Sequence, residues 1–539
     1  MGQGASVARL RRRALLTAAL GAPGWAGVAA CSPRGPIPPE GGWIGVDAAR
    51  GHRLRAPIPA LSSLPPARRV GVLVVGAGIA GLACARALAR AGVDDLVVLE
   101  LEDAVGGNSR GHRLGGSGCP LGAHYLPLPG PQAHEVRELL FELGLLRHEG
   151  GRSLPDERHL CHSPQERLFF DGVWHDGLLP PAEPASRSAT QYRAFAQRVE
   201  QLRRDVGFAL PTQRARWSPA HAELDGVTFT HWLAREGLDD ALLRGYLDYA
   251  CRDDYGAGID TVSAWAGLHY FASRHGFQAP DGDAERDPVF TWPEGNAWLV
   301  ERLAAPLGAR ILRAHTTLRV DEQRRAVQVI ALDEAMQRPL LFDAQAVVLA
   351  TPLFVARRLC SSPAAPLVPA SARARYAPWL VTNLLLDAPL LERASGVPLA
   401  WDNVRHGAPS LGYVVAQHQS LRADTRATVL TAYWALREAE RAALLQDDWR
   451  PWAGRVIDDL AVAHPDLPHK VRRVDLARHG HAMRVPIPGA RGDEALVALQ
   501  QLPGRVQFAH ADLSAYSVFE EAYTLGVQAA GRVLRTLRR

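Results

Sequence analysis

The sequence predicts an α/β fold, in which a discontinuous Rossmann-type nucleotide-binding domain carries an inserted α+β domain. Three observations support this fold class. An apolar, β-branched run at 70–75 has the character of a buried parallel strand, and a glycine-rich turn and a helical run follow it directly. Apolar residues recur at helical spacing between 190 and 275. Strand-like patterns return at 310–350 and 410–435, so strands flank the helical stretch on both sides.

These patterns divide the 539 residues into seven segments. A chain of this length can form several domains and bury a large cofactor. We expect a signal peptide at 1–30, a proline-rich tether at 31–67, the nucleotide domain at 68–130, 289–355 and 491–539, and a substrate domain at 131–288 and 356–490. The first of the two substrate segments is expected to be helical.

The composition excludes several classes of protein. The chain is 47% hydrophobic and 22% charged, which is ordinary for a soluble globular protein. Its net charge is +5, but no basic run with interleaved aromatic residues follows the N-terminus, so we expect no nucleic acid partner. The cysteines form no CxxC or Cys/His cluster, which predicts no metal site and leaves single thiols or a disulfide as alternatives.

The first thirty residues have the pattern of an export signal. An apolar stretch follows Arg12 and Arg13, but glycines and a proline interrupt it, so it does not predict a membrane-spanning helix. The arginine pair and the residues after it resemble a twin-arginine signal, and Val28-Ala29-Ala30-Cys31 resembles a bacterial lipobox. We therefore expect a periplasmic lipoprotein, exported by the twin-arginine route and anchored to a membrane by a lipid on Cys31. The alternative is a Sec signal with an incidental cysteine.

A dinucleotide-binding turn is the strongest motif in the chain. Gly76-Ala77-Gly78-Ile79-Ala80-Gly81 lies between the first strand and a helical run. Its three glycines permit a tight turn, close approach of a pyrophosphate and close packing of helix on strand. The next strand ends at Glu100, where an acid can accept hydrogen bonds from a ribose. Strand, turn, helix and acid together predict a bound dinucleotide.

A second glycine turn identifies the dinucleotide. Val105-Gly106-Gly107-Asn108-Ser109-Arg110 resembles the second fingerprint of the flavin amine oxidase superfamily, which usually reads Gly-Gly-Arg-x-Arg. Asn108 replaces the first arginine, so the resemblance leaves Arg110 to contact the phosphates. The cofactor implied is FAD.

Further segments carry the same resemblance. Residues 293–299 and 346–352 are similar to the family's Pro-x-Gly-Gly segment and to its strand ending in Ala-x-Pro, and the resemblance places an adenine contact near Thr317. At the C-terminus, 506–512 and 517–526 resemble the family's Phe-Ala-Gly-Asp/Glu segment and the helix that points at the flavin pyrimidine. The resemblance thereby implies that Asp512, Ser517, Val518 and Phe519 contact FAD.

The loop at 121–125 falls where family members line the flavin face. The resemblance implies that Ala123 contacts the cofactor and that His124 is a catalytic proton-transfer group. A histidine packed beside the cofactor is the alternative. Asp253 and Asp254 could bind a cationic substrate or could lie in a solvated loop.

Two departures from the family pattern limit the substrate prediction. Lys470 is the only lysine, so nothing matches the family's lysine near flavin N5. The family's aromatic pair is also absent, because Val518 stands at one position and 478–483 lies where the other should be.

The resemblance implies hydride transfer to flavin N5 from a small organic substrate, with an amine or polyamine as the leading class, and reoxidation by oxygen or another acceptor. Two alternatives stay open: a desaturase-like or protoporphyrinogen-oxidase-like enzyme that acts on a C–C bond, and a non-catalytic FAD-binding interaction protein.

Overall fold

Two large β-sheets, three two-stranded sheets and the helices packed on them make up the part of the chain that the structure describes. The structure is a computed structural model and describes residues 39–279, 288–392, 394–418 and 427–538. The predicted signal peptide, its arginine pair and Cys31 lie outside these residues.

The strands and helices are numbered in chain order. The strands are β1 (Glu40–Ile44), β2 (Arg68–Val75), β3 (Leu96–Leu99), β4 (Gly111–Leu114), β5 (Ser117–Pro120), β6 (Tyr125–Pro127), β7 (Leu146–Glu149), β8 (Arg152–Pro155), β9 (Glu166–Phe170), β10 (Val173–Asp176), β11 (Val289–Thr291), β12 (Ile311–Leu312), β13 (His315–Glu322), β14 (Val327–Asp333), β15 (Arg338–Leu349), β16 (Tyr376–Leu386), β17 (Asp402–Arg405), β18 (Tyr413–Val415), β19 (Thr428–Ala435), β20 (Val471–Arg484) and β21 (Val506–Phe508). The helices are α1 (Ala48–His52), α2 (Ile79–Arg90), α3 (His134–Glu142), α4 (Arg187–Asp205), α5 (Pro219–Asp225), α6 (Phe229–Arg235), α7 (Ala241–Tyr255), α8 (Ala264–Ala272), α9 (Ala297–Ala304), α10 (Leu353–Leu359), α11 (Leu367–Arg373), α12 (Arg441–Gln446), α13 (Trp449–Ala461), α14 (Leu467–Lys470), α15 (Glu494–Gln500) and α16 (Phe519–Leu537).

The nucleotide sheet has seven strands, in the order β12-β3-β2-β15-β14-β13, with β21 paired to β15. Strands β3, β2, β15 and β21 run parallel, and β2 and β3 are buried on both faces, as their continuous apolar runs predict. Helices α2 and α16 cover one face, where a Cβ on Gly526 would overlap the carbonyl oxygen of Ala80. This close helix packing fixes the start of α16 beside the start of α2. The predicted α/β class and discontinuous nucleotide domain are confirmed.

The substrate sheet has eight strands, in the order β1-β20-β16-β19-β18-β17-β9-β10. One face of β16 packs toward α4–α8 through Ala377, Trp379 and Val381, and the other packs toward α13 through Leu380 and Leu384. Helix α7 begins after Asp240, whose side chain accepts from the Leu243 N–H, and ends at Gly256 with φ of 72°. The C-terminal cap at Gly256 thus ends α7 just after Asp253 and Asp254.

The structure changes the predicted segment boundaries. Residues 40–44 of the predicted tether form β1, which pairs with the edge strand β20 because its backbone N–H and C=O groups complete that ladder. Helix α3 joins the apolar cluster of α2 and α16, and α10 and α11 join that of the nucleotide sheet. The tether prediction is therefore wrong for residues 40–55, which pack on the folded protein, whereas 56–67 are mostly exposed. The boundaries at 130 and 355 fall too early.

Two other features bear on the predictions. The five cysteines of the described residues are free thiols, which agrees with the single-thiol alternative. Among these residues no helix is long and apolar enough to cross a membrane.

Candidate active site

The cofactor cradle consists of the two glycine turns, which lie face to face. Gly76 has φ of 98° and Gly106 has φ of 120°, backbone conformations that favour glycine. Gly78 and Gly106 form a β-bridge, and the Gly106 N–H donates to the Ala77 carbonyl at 2.8 Å. The structure thus brings the turns at 76–81 and 106–110 together, as the sequence prediction requires.

The glycines of the first turn have different neighbours. A Cβ on Gly81 would overlap the Gly76 carbonyl oxygen, so Gly81 is needed for helix α2 to pack on the turn. A Cβ on Gly78 would meet only the Gly107 Cα, at 3.9 Å, which is an ordinary contact. The space beside Gly78 is thus left open by the protein itself, as a pyrophosphate requires.

Glu100 lies at the end of β3 and is buried. Its Oε2 accepts from the Ala77 N–H at 2.7 Å, and its Oε1 accepts from the Glu102 N–H at 2.9 Å. Burial raises the pKa of Glu100, and these hydrogen bonds and the charge of Arg110 oppose the rise. The carboxylate is therefore held in a fixed orientation at the edge of the cradle, where a ribose acid is expected.

The side chains of the second turn have protein partners. Asn108 Nδ2 donates to the Ala482 carbonyl at 2.6 Å. Arg110 donates from Nη1 to the Gly45 carbonyl at 2.7 Å and from Nη2 to Asp103 Oδ1 at 2.9 Å. Its buried Nε has no partner within the described residues. The role of Arg110 as a phosphate ligand stays a prediction, since two of its nitrogens already bind protein.

Helix α16 begins without a side-chain cap at its N-cap residue. Val518 is the N-cap residue, and Phe519 begins the helix. Ser517 is occupied, because its Oγ accepts from the Arg484 N–H at 3.1 Å. The first turn also holds the buried carboxyl groups of Glu520 and Glu521, which already interact with the positive end of the helix dipole. The contacts of Ser517, Val518 and Phe519 with FAD stay predictions.

Asp512 is fully buried and makes protein contacts. Its Oδ2 accepts from the Leu353 N–H at 2.9 Å and from the Tyr376 hydroxyl at 2.5 Å. Burial favours a higher pKa, but the charges of His510 and Arg484 and hydrogen bonds from His510 and Tyr376 outweigh it and lower the pKa of Asp512 to about 2. The carboxylate is charged and anchors three chain segments. Its contact with FAD stays a prediction.

Unpaired polar atoms also favour a bound group. Among the described residues, the buried Oγ1 atoms of Thr317 and Thr351 have no hydrogen-bond partner. Thr351 lies next to Gly76, with its Cγ2 3.5 Å from the position of a Cβ there, and Thr317 lies on β13. Buried hydroxyls usually have partners, so these two suit a ligand with several acceptors. The cradle therefore fits a dinucleotide such as FAD.

His124 lies behind the cradle in an aromatic cluster. The Ala123 N–H donates to the Asn108 carbonyl at 2.8 Å, which attaches this loop to the second glycine turn. The His124 ring stacks on Tyr433 with centroids 4.3 Å apart and lies 5.5 Å from the Trp401 ring. Burial lowers the pKa of His124 to about 3. The imidazole is neutral at pH 7, and its catalytic role stays a prediction.

Two carboxyl groups lie close to these rings. The Tyr125 ring, which lies 5.9 Å from Trp401, hydrogen-bonds Asp253 through its hydroxyl. Burial and the charge of Asp254 raise the pKa of Asp253 to about 7. Burial and the charges of Asp253 and Glu166 raise the pKa of Asp402 well above its usual value. We call His124, Tyr125, Trp401, Tyr433, Asp253 and Asp402 the cage.

Neither carboxyl group of the cage has an ion-pair partner among the described residues. The charges of Arg274 and Arg252 act on Asp253 from beyond ion-pair distance and oppose the rise in its pKa, whereas Asp254 lies 3.4 Å from Arg274. The solvated-loop alternative is wrong, because Asp253 and Asp254 lie in the last turn of helix α7, where Asp254 is buried and Asp253 is half-buried. A cationic ligand would relieve the repulsion between the two cage carboxylates.

Sequence reasoning missed half of the cage. Trp401, Asp402 and Tyr433 are distant in the chain from the 121–125 loop and carry no motif, and only the pairing of β17, β18 and β19 brings them together. Lys470 is elsewhere, because its Nζ lies 2.6 Å from Asp466 Oδ2. His479 and His481 lie on β20, where His479 contacts the Leu121 carbonyl and His481 packs on Phe354.

Comparison with known proteins identifies a family for the chain. The sequence profile of the flavin-containing amine oxidoreductases matches residues 79–534. The chain is 30% identical over 275 residues to a protein named as flavin-containing monoamine oxidase AofH of Mycobacterium tuberculosis, which covers 49% of this chain and 54% of that protein. It is 31% identical over 175 residues to putrescine oxidase of Kocuria rosea, which covers 32% of each chain. The chain thus spans about half the length of the first relative and about a third of the second.

A solved structure shares the fold. Cyclohexylamine oxidase from Brevibacterium oxydans superposes with a TM-score of 0.66 at 19% identity, over 87% of this chain and 100% of that chain. The profile match covers most of the chain, from the end of the first glycine turn into helix α16, and includes the second glycine turn and the cage. The protein belongs to the family of FAD-dependent, flavin-containing amine oxidoreductases.

Proposed function

We propose that the protein oxidises a primary amine that carries a second cationic group, such as a diamine or polyamine. The observation that carries this proposal is the cage, in which two half-buried carboxyl groups without an ion-pair partner among the described residues lie among aromatic residues. The name of the putrescine oxidase that matches part of the chain supports the same substrate class. A hydrocarbon substrate, as in the desaturase-like alternative, would take water away from these carboxylates without pairing with them, which costs binding free energy.

Each part of the site has a chemical task. Bound FAD would supply the acceptor for a hydride from the carbon next to the nitrogen, with oxygen or another acceptor to reoxidise it. Gly78, Gly107 and Glu100 would hold the dinucleotide. Asp253 and Asp402 hold the ammonium group that does not react.

The cage also controls water. The rings of Tyr125, Trp401 and Tyr433 exclude water and contact the alkyl chain, and they can contact an ammonium through cation–π interaction.

The test is anaerobic bleaching of the flavin in the purified protein. We expect primary amines to reduce the flavin, and alcohols or alkenes of the same carbon skeleton to leave it oxidised. Bleaching by an alkene or a porphyrinogen and not by any amine would instead support the C–C alternative. No bleaching by any of these compounds would support the non-catalytic alternative.

We also propose that the protein is exported by the twin-arginine route and anchored by a lipid on Cys31. The arginine pair and lipobox-like sequence support this, because a protein that binds its cofactor before export must cross the membrane folded. Replacing Cys31 with alanine should release the protein from the membrane fraction, and lysines at positions 12 and 13 should block export. Unchanged sedimentation of the Cys31→Ala protein would contradict the anchor.

A further inference from the structure

The N-terminal strap, residues 40–55, crosses both halves of the molecule. Its strand β1 pairs in parallel with β20 at the edge of the substrate sheet. A Cβ on Gly41 would overlap the Val474 carbonyl oxygen, so the two strands lie in close contact. The strap then leaves the substrate sheet and reaches the nucleotide half, where Arg53 lies 2.8 Å from Glu334.

The middle of the strap contacts the acid-containing loop after β3. The Asp47 N–H donates to Glu102 Oε1 at 3.1 Å, and Arg50 Nη1 lies 3.4 Å from Glu102 Oε2. The Gly45 carbonyl accepts from Arg110 Nη1 at 2.7 Å. Arg110 Nη1 also lies 4.0 Å from Glu102 Oε2. Glu102 is buried, so its carboxylate depends on these few partners.

These contacts continue into the cofactor cradle. The Glu102 N–H donates to Glu100 Oε1, and Glu100 Oε2 in turn accepts from the Ala77 N–H in the first glycine turn, at 2.9 and 2.7 Å. The strap, Glu102, Glu100 and the glycine turn therefore form one unbroken hydrogen-bonded series. A shift of Glu102 would move the N–H that orients the ribose acid.

We propose that the strap is a working part of the FAD site, in which Arg50 and the Asp47 N–H act as positioning groups for Glu100 through Glu102. Neither group contacts the cofactor in this proposal. They hold Glu102, whose N–H fixes the carboxylate of Glu100 in the orientation that a ribose needs. Preorganisation of this kind lowers the cost of binding and slows release. The strap thereby links the edge of the substrate sheet to retention of the cofactor.

The first experiment measures the rate of FAD release from the holoenzyme. Flavin fluorescence is followed after dilution, at a temperature well below unfolding and at a pH well above 7, because burial raises the pKa of Glu102 to about 7. We expect Arg50→Ala to speed release by about three- to tenfold, and Arg50→Lys to restore most of the loss. Arg53→Ala is the matched control, because it removes an ion pair of the same strap with Glu334 instead of Glu102. Equal effects of Arg50→Ala and Arg53→Ala would overturn the proposal.

A double-mutant cycle tests the route through Glu102. Glu102→Gln keeps an acceptor for the Asp47 N–H but removes the charge that Arg50 contacts. We expect Arg50→Ala to have little further effect on FAD release in the Glu102→Gln background. Full additivity of the two changes would show that Arg50 acts by another route and would overturn the proposal.

A third variant perturbs the strap far from the cradle in sequence. Gly41→Ala should displace β1 from β20 and should also speed FAD release, although residue 41 has no contact with Glu102. A lower melting temperature with an unchanged release rate would mean that the strap serves only the substrate sheet, and the proposal would fail.

Discussion

The cofactor cradle holds its shape through backbone contacts at glycines, whereas the cage holds its shape through side chains from separate elements. In the cradle, Gly76, Gly81 and Gly106 are needed because main-chain segments approach closely or adopt positive φ. In the cage, Asp253 and Asp402 come from α7 and β17 and repel each other. The cradle is thus specified by sterics and tolerates little change, while the cage is specified by charge and can be tuned by conservative substitutions.

The largest effect is expected at Gly78. Gly78→Val should give a folded, colourless protein with FAD affinity reduced by at least about 10³-fold, because its side chain would fill the pyrophosphate space while meeting little protein. Gly81→Val is the contrast and should lose the fold itself, since its Cβ overlaps the Gly76 carbonyl. Absorbance and circular dichroism of both proteins separate the outcomes. A yellow Gly78→Val protein would show that the dinucleotide does not lie there.

The second effect concerns the charge of the cage. Asp402→Asn should lower kcat/KM for a diamine by about 10²-fold, since a charge-assisted contact is lost, and should change kcat/KM for a monoamine far less. Asp248→Asn is a control on helix α7, where that carboxylate accepts from the Ile259 N–H. Steady-state kinetics with both substrates give the comparison. Equal losses of kcat/KM for both amines would show that Asp402 does not recognise the second ammonium.

The pH dependence tests Asp253. A carboxyl group is charged above its pKa, and burial together with Asp254 raises the pKa of Asp253 to about 7. We therefore expect kcat/KM for a diamine to fall as the pH drops below about 7, by up to about tenfold per pH unit. Asp253→Asn should abolish this limb of the profile. If the limb persists in the Asn variant, another group titrates there.

The smallest effect separates two roles of His124. If the ring is a wall of the cage, His124→Phe should reduce the flavin within about threefold of the wild-type rate, while His124→Ala should be slower by about tenfold or more through lost packing. If His124 transfers a proton, both variants should be slow by about 10²-fold. Anaerobic stopped-flow reduction at saturating amine distinguishes these outcomes. The low pKa of His124, about 3, favours the wall.

The sequence predicted the cradle because its parts are local. Gly76, Glu100 and Gly107 lie within one strand–helix–strand unit and the turn after it, and the parallel strands β2 and β3 bring them to one edge. Each residue type follows from a backbone requirement that motifs record. The α/β class followed from the same strands.

The cage and the strap could not be predicted in this way. Tyr433 and Trp401 meet His124 only after β17–β19 form a sheet, and the strand-like pattern at 410–435 does not show which side chains will face one another. The prolines between 33 and 66 suggested a tether, but residues 40–44 among them form β1, which completes the edge of a sheet whose partner strand begins more than 400 residues later. The contact of Arg110 with the Gly45 carbonyl could not be predicted either, because Gly45 belongs to that same unexpected segment.

One measurement tests the central claim most directly: anaerobic reduction of the wild-type flavin by 1,4-diaminobutane and by n-butylamine, which share a four-carbon chain and differ in the second ammonium. The cage predicts that the diamine reaches half-maximal reduction rate at a concentration about 10²-fold lower than the monoamine, since Asp253 and Asp402 stabilise the second charge. Equal concentration dependence for the two amines would contradict the account.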